Sequence, residues 1–379
     1  METKNTPPYL PHELIIQILL RLPVKCLIRF KCVCKSWFSL ISDPHFTNSH
    51  FDITATSTHR ILLISNSTHE TRSIDFEAPF NCDSASLNLN FLLPQTHLDL
   101  EIIGSCRGFI VLRCSSDFHI WNPSNGLHNH KQIPLSPNDS DLDERYFCYL
   151  YGFGYDQLRD DYLVVSMSYE CDTIIDNISS HLEFFSWRDN TWKEIEGTHF
   201  IEGTHFPYMP SSEYPRVGSL FNGVIHWLAV HNDISMDVIV AFDLKERKVF
   251  DMHLPDEFDI ELYNSGLWVF GEFLSLWTLY YYYDRNCTVE LEIWVMKEYK
   301  VHLSWTKTHV VSLDDILINS PLCSTKSGDI IGTDDGKVIK YNDKGQCLEN
   351  RYYLNDTGES EVALYVESLL SLPAENEQA

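Results

Sequence analysis

The sequence lacks any apolar run long enough to cross a bilayer as a helix. Its greasiest stretch, residues 14–22, is interrupted by Gln17 and Arg21 and closed by Pro23. No leader is expected from its first residues, and its 11 cysteines form no paired C-x2-C ladder for zinc, so a reducing compartment, cytosol or nucleus, is expected. Basic residues are scarce, 28 against 54 acidic ones, for a formal net charge of −26. The imbalance is uneven: residues 1–50 carry six basic and three acidic side chains, and the remainder 22 and 51, a net of −29. A body of that charge repels phosphates and anionic lipid, which are bound chiefly through Lys and Arg, so neither nucleic acid nor membrane is expected as a partner. It would attract a basic partner at low salt, although solvated acidic surface is the plainer account of it.

Catalytic signatures are missing too. There is no Gly-x-Ser-x-Gly nucleophile elbow, and Gly152-Phe153-Gly154 lacks the third glycine and following helix of a dinucleotide loop. His128 and His130 would share one face of a strand but have no third or fourth ligand nearby, so no metal is expected. Asp139, Asp141, Asp143 and Glu144 cluster without the central glycine and closing glutamate of a calcium loop. No cofactor is expected, and the chain does not read as an enzyme.

What is present is concentrated at the start. Pro11 suits the first position of a helix, Glu13 lies in its positive first turn, and Leu14, Ile15, Ile18, Leu19 and Leu22 follow at helical spacing. Ile16 and Leu20 lie off that face, so this helix is apolar around most of its circumference. Pro23 is expected to end it. A second helix is expected from Val24 to Phe30. A third is expected over 31–41, with Val33, Trp37, Leu40 and Ile41 inward, Cys32 and Cys34 as small buried hydrophobes, and Asp43-Pro44 as the stop. Three short helices cannot cover this much apolar side chain themselves, and the segment calls for a partner surface.

This stretch resembles the F-box. The residues that carry the resemblance are Leu10-Pro11, Glu13-Leu14, Ile18-Leu19, Arg21-Leu22-Pro23, Lys25, Leu27, Arg29-Phe30, Val33-Cys34-Lys35, Trp37, Leu40-Ile41, Asp43-Pro44 and Phe46, without a gap. Cys26 stands where a serine is usual. The resemblance implies docking onto the Skp adaptor of an SCF (Skp–cullin–F-box) ubiquitin ligase, and through it contact with cullin and RING subunits. It assigns that docking to Leu10, Pro11, Leu14, Ile15, Ile18, Leu22, Pro23, Leu27, Val33, Cys34 and Trp37.

From Arg60 onward the pattern changes to short β-type runs broken by Gly, Asn-Asp and Pro. Successive sets place an aromatic on a third strand just before a turn, at Trp121, Trp187, Phe242, Trp294 and Tyr341. Corresponding points at Gly104, Gly152, Gly218, Gly266 and Leu322 recur every 48 to 66 residues. Four-stranded units at that period predict a β-propeller, with six blades as the expected number and an irregular β-sandwich pair as the competing architecture. A leftover strand over 362–366 is expected to close the ring against the first blade. The region resembles the F-box-associated, kelch-like domain of plant F-box proteins, the family that includes S-locus F-box proteins. The carriers are Gly104-Ser-Cys-Arg-Gly108-Phe, Ile120-Trp-Asn-Pro-Ser124, Tyr151-Gly-Phe-Gly-Tyr-Asp156, Phe221-Asn-Gly-Val-Ile-His-Trp227 and Tyr365-Val-Glu-Ser-Leu369.

The expected organisation is an α+β multidomain chain: a flexible start (1–8), a three-helix F-box (9–50), a linker (51–59), an all-β six-bladed propeller-like domain (60–370) and a flexible tail (371–379). Its expected work is substrate recognition for the ligase, with an unidentified target protein held by the β domain. The loops at 139–145, 170–180, 196–216 and 231–236 are the expected readers. A duplicated hexapeptide, Ile-Glu-Gly-Thr-His-Phe at 195–200 and again at 201–206, marks a segment where length is cheap. The alternatives are a glycan-binding or glycan-processing propeller using Asp139, Asp141 and Glu144, or an F-box adaptor acting outside a ligase.

Overall fold

The computed structural model describes residues 10–55, 58–68, 70–82, 85–89, 100–114, 117–125, 131–134, 136, 146–172, 177–195, 208–209, 216–231, 235–258, 264–282, 288–313, 320–354 and 360–373. Four helices come first: α1 (His12–Leu19), α2 (Val24–Phe30), α3 (Lys35–Ile41) and α4 (Pro44–Thr54). Pro11 and Pro23 are the N-caps of α1 and α2, with φ of −54° and −57°. Pro23 therefore opens the second helix rather than closing the first, which already ends at Leu19. The third helix is shorter than expected, because Cys34 is extended (φ −161°, ψ 164°) and its sulfur accepts the Trp37 N–H. Cys32 and Cys34 are consequently exposed, not buried.

The third helix ends at Ile41, ahead of Asp43-Pro44 as expected, but the pair has a second role. The Asp43 carboxylate accepts the N–H groups of His45 (2.9 Å) and Phe46 (3.2 Å), and Pro44 follows at the first helical position. That pair starts α4, as an N-cap carboxylate with proline behind it should. Residues 51–54, expected in the linker, are the last turn of that fourth helix.

The strands follow in blade order. The first blade has β1 (His59–Ser65), β2 (Thr71–Ile74) and β3 (Ser86–Asn88). The second has β4 (Leu100–Cys106), β5 (Phe109–Cys114), β6 (Asp117–Trp121) and β7 (Lys131–Ile133). The third has β8 (Tyr146–Asp156), β9 (Asp161–Asp172), β10 (Asn177–Ser186) and β11 (Thr191–Glu194). In the fourth, β12 (Tyr208–Met209) and β13 (Ser219–Phe221) both pair with β14 (Val224–His231), followed by β15 (Met236–Asp243) and β16 (Lys248–His253). The fifth has β17 (Ser265–Phe270), β18 (Phe273–Tyr282), β19 (Thr288–Met296) and β20 (Trp305–Leu313). The sixth has β21 (Ser320–Ser324), β22 (Ile330–Asp334), β23 (Lys337–Tyr341) and β24 (Cys347–Tyr352). The last strand, β25 (Ser360–Val366), returns to the first blade and pairs antiparallel with β1 from His59↔Val366 to Ser65↔Ser360. The result is a six-bladed β-propeller closed by its own C-terminal strand, which completes the first blade as its fourth strand.

The core is distributed around the ring, one apolar cluster at each blade interface. Trp121 fills the seam between the first two blades, Trp187 the next, then Phe242, Trp294 and Tyr341. Their recurrence in the sequence is the repeat of these interfaces. The recurring glycines have a steric reason. Gly152 and Gly218 flank the buried Trp227 indole, where an added Cβ would lie 2.6 Å from Ile225 and 2.5 Å from the indole nitrogen. That nitrogen donates to Tyr151 O at 2.7 Å, pinning the third blade to the fourth.

The candidate docking face and its seat on the propeller

Each blade is an antiparallel meander, so its first-to-second and third-to-fourth turns share one end of the ring and its second-to-third turn lies at the other. The helices sit at the first end. Arg107, in the β4–β5 turn, donates to Asn48 Oδ1 of α4 at 2.9 Å. Its guanidinium is held between the Phe51 ring of α4 (4.8 Å) and the Tyr155 ring of the third blade (4.3 Å). Pro123–Asn125, after β6, packs against α2.

Inside the helical module, Leu19, Leu20, Val24, Leu27, Ile41 and Phe46 form a core on which Ile15, Ile16, Leu22, Ile28, Phe30, Trp37 and Leu40 pack from the side. His50 is fully enclosed beneath it, its Nε2–H donating to Leu22 O at 2.8 Å. Burial pushes the His50 imidazole below its ordinary pKa.

The face of α1 differs from the one marked by its periodicity. Its buried edge is Leu19 and Leu20, backed by Ile15 and Ile16, while Leu14 is 50% and Ile18 51% exposed. Leu10, Pro11, Leu14 and Ile18 thus form an outward stripe on one side of the helix. Pro23, Val33 and Cys34 are also exposed, Val33 to 62%. Ile15, Leu22 and Trp37 are half-buried and serve both the core and its margin. Leu27, at 0% exposure, belongs to the core of the module and not to its outward face. Two exposed apolar residues escaped the sequence reading, Phe38 (57%) and Ile53 (49%). Phe38, directly after Trp37 in α3, offered the only signal. Covering half of a Leu or Ile side chain is worth about 1 kcal/mol, so this surface is a strong docking candidate.

At the opposite end, the second strands finish and the inner strands begin. The flanks of two expected reader segments, Asp172/Asn177 and His231/Met236, lie there. Residues 139–145, with Asp139, Asp141 and Glu144, lie outside the described residues, as do 173–176, 196–207, 210–215 and 232–234. The second hexapeptide copy, most of the first, and the His128/His130 pair lie outside them as well. Among the described residues, no three His, Cys, Asp or Glu side chains are placed to hold a metal ion.

Comparison with known proteins agrees with this architecture. Residues 8–49 match the F-box domain, and residues 51–344 match the F-box associated beta propeller domain. An F-box/kelch-repeat protein of Arabidopsis thaliana is 28% identical over 312 residues, covering 80% of this chain and 79% of its own. F-box protein CPR1 of the same plant is 27% identical over 315 residues, covering 80% and 73%. With four helices in front and six blades behind, and with both parts matched in order, the chain belongs to the plant F-box proteins that carry an F-box-associated β-propeller domain.

Proposed function

We propose that this protein is the substrate-recognition subunit of an SCF-type ubiquitin ligase, working in the cytosol or nucleus. Its F-box docks the Skp adaptor, and through it cullin and RING subunits, while the propeller holds a target protein. The observation that carries this reading is the outward apolar stripe of Leu10, Pro11, Leu14 and Ile18, with Val33 and Phe38, on a helical module fixed to one end of a closed ring. The chain itself forms no covalent bond in this scheme. It lowers the barrier by holding a target lysine near a charged ubiquitin-conjugating enzyme, a gain in effective concentration rather than in chemistry.

The target is held at the end of the ring away from the helices, where bound protein does not collide with the adaptor. The body's charge of −29 outside the first 50 residues complements a target with a basic surface. A pull-down with purified Skp adaptor tests the docking. Wild-type chain is retained, and Pro11→Ala with Leu14→Ala is lost while its melting temperature stays unchanged, because both side chains are exposed. Retention of the double variant at wild-type strength overturns the residue assignment.

A further inference from the structure

The segment after β25, residues 367–373, runs between the F-box and the ring. It places consecutive side chains in two different cores. Leu369, 2% exposed, completes the F-box core with Leu19, Leu27, Ile41 and Phe46, and among the described residues it is the buried member of that cluster that comes from beyond the N-terminal helical module. Leu370, 3% exposed, belongs to the cluster between the second and third blades.

The backbone between them is clamped from the propeller side. Asn122 Nδ2 donates to Ser368 O (3.2 Å), Ser368 Oγ (3.1 Å) and Leu370 O (3.2 Å). Ser368 N–H donates to Ser124 Oγ at 3.1 Å, and Asn125 Nδ2 donates to Leu370 O at 3.1 Å. Gly108, at φ +84°, leaves the room: a Cβ there would lie 2.4 Å from Ser368 Oγ. Further along, the Trp187 indole N–H donates to Pro373 O at 3.0 Å. Upstream, Arg60 of β1 bonds Ser73 Oγ, which meets the Tyr365 hydroxyl at 2.7 Å, and Glu367 N–H donates to Thr58 O at 3.1 Å. Three separate sequence motifs, around Gly108, around Asn122-Pro123-Ser124 and around Tyr365–Leu369, thus converge on one strap.

We propose that this strap couples the two domains: closure of the ring by β25 seats Leu369, and seating Leu369 completes the F-box. A chain whose ring is open presents a loosened, docking-incompetent F-box. The adaptor thereby engages only chains whose target-holding domain is finished. The part of this inference that concerns docking rests on the function proposed above.

The test uses the full chain and two readouts, amide hydrogen exchange in α1–α3 and affinity for purified Skp adaptor. Leu364→Asp, in the ring-closing strand and remote from the helices, raises exchange in α1–α3 at least tenfold and weakens the adaptor at least tenfold. Leu276→Ala, a cavity in the fifth blade away from the seam, changes both by less than twofold. Equal effects from the two variants, or none from Leu364→Asp, overturn the coupling. Should Leu364→Asp not fold, Leu369→Ala in an intact ring carries the test. It raises exchange tenfold in α1–α3 and leaves β8–β10 protected, and unchanged exchange in α1–α3 overturns the proposal. A wild-type chain that binds no adaptor sinks the proposed function alone, since exchange still decides the coupling.

Discussion

His226 shows how a single residue of a family motif acts by geometry. It is fully buried, with Nδ1–H donating to Ser219 O at 3.2 Å and Nε2 accepting from the Tyr299 hydroxyl at 2.8 Å. The acceptor role of Nε2 needs the neutral ring, and burial drives its pKa from 6.5 to about 4, against the pull of the Ser219 carbonyl. Between those values the unfolded chain takes up a proton that the folded one refuses, so stability falls as pH drops from 6.5 toward 4. The loss amounts to about 3 kcal/mol at most. His226→Gln, denatured in urea at pH 7 and pH 5, should lose most of that pH dependence. An unaltered slope would show that the ring is not the titrating group. Nothing in the sequence announced this role, because the partner, Tyr299, lies 73 residues away in the next blade.

At the scale of elements, legibility followed the local signal. The long second and third strands, such as Val224–His231 and Met236–Asp243, are apolar enough to be read directly. The three-residue strands Ser86–Asn88 and Lys131–Ile133 were not read, since so short an edge strand carries no period. Leu100–Cys106 is not legible as a strand, because a bulge between Ile102 and Gly104 breaks its alternation. Asp43-Pro44 was half legible for a different reason: Asp-Pro ends one helix and can start the next, and the two N–H groups on Asp43 make it do both here. Removing that cap by Asp43→Ala should cost about 1 kcal/mol, read as a lower melting temperature. Adaptor binding should persist, as α4 lies on the propeller side of the module.

For the molecule as a whole, the repeat of aromatics and glycines sufficed for a six-bladed ring, and the leftover strand was enough for its closure. The position of the helices was not legible, because it depends on Arg107, Asn48 and Leu369, which are distant in sequence and have no pattern in common. Since every blade shares its core with two neighbours, the ring should unfold as one unit. Trp277→Ala, in the fifth blade, should lower the transition seen by tryptophan fluorescence and that seen by far-UV circular dichroism by the same amount. Two separated transitions would mean that the blades are independent.

Ring closure also has a cost in time. The F-box leaves the ribosome first, yet Leu369, the side chain that finishes its core, follows Phe46 by more than 300 residues. At about 5–20 residues per second, the newborn F-box waits roughly 15 to 60 s with its core open and its apolar stripe bare. In that interval a chaperone, not the adaptor, is the partner its chemistry invites.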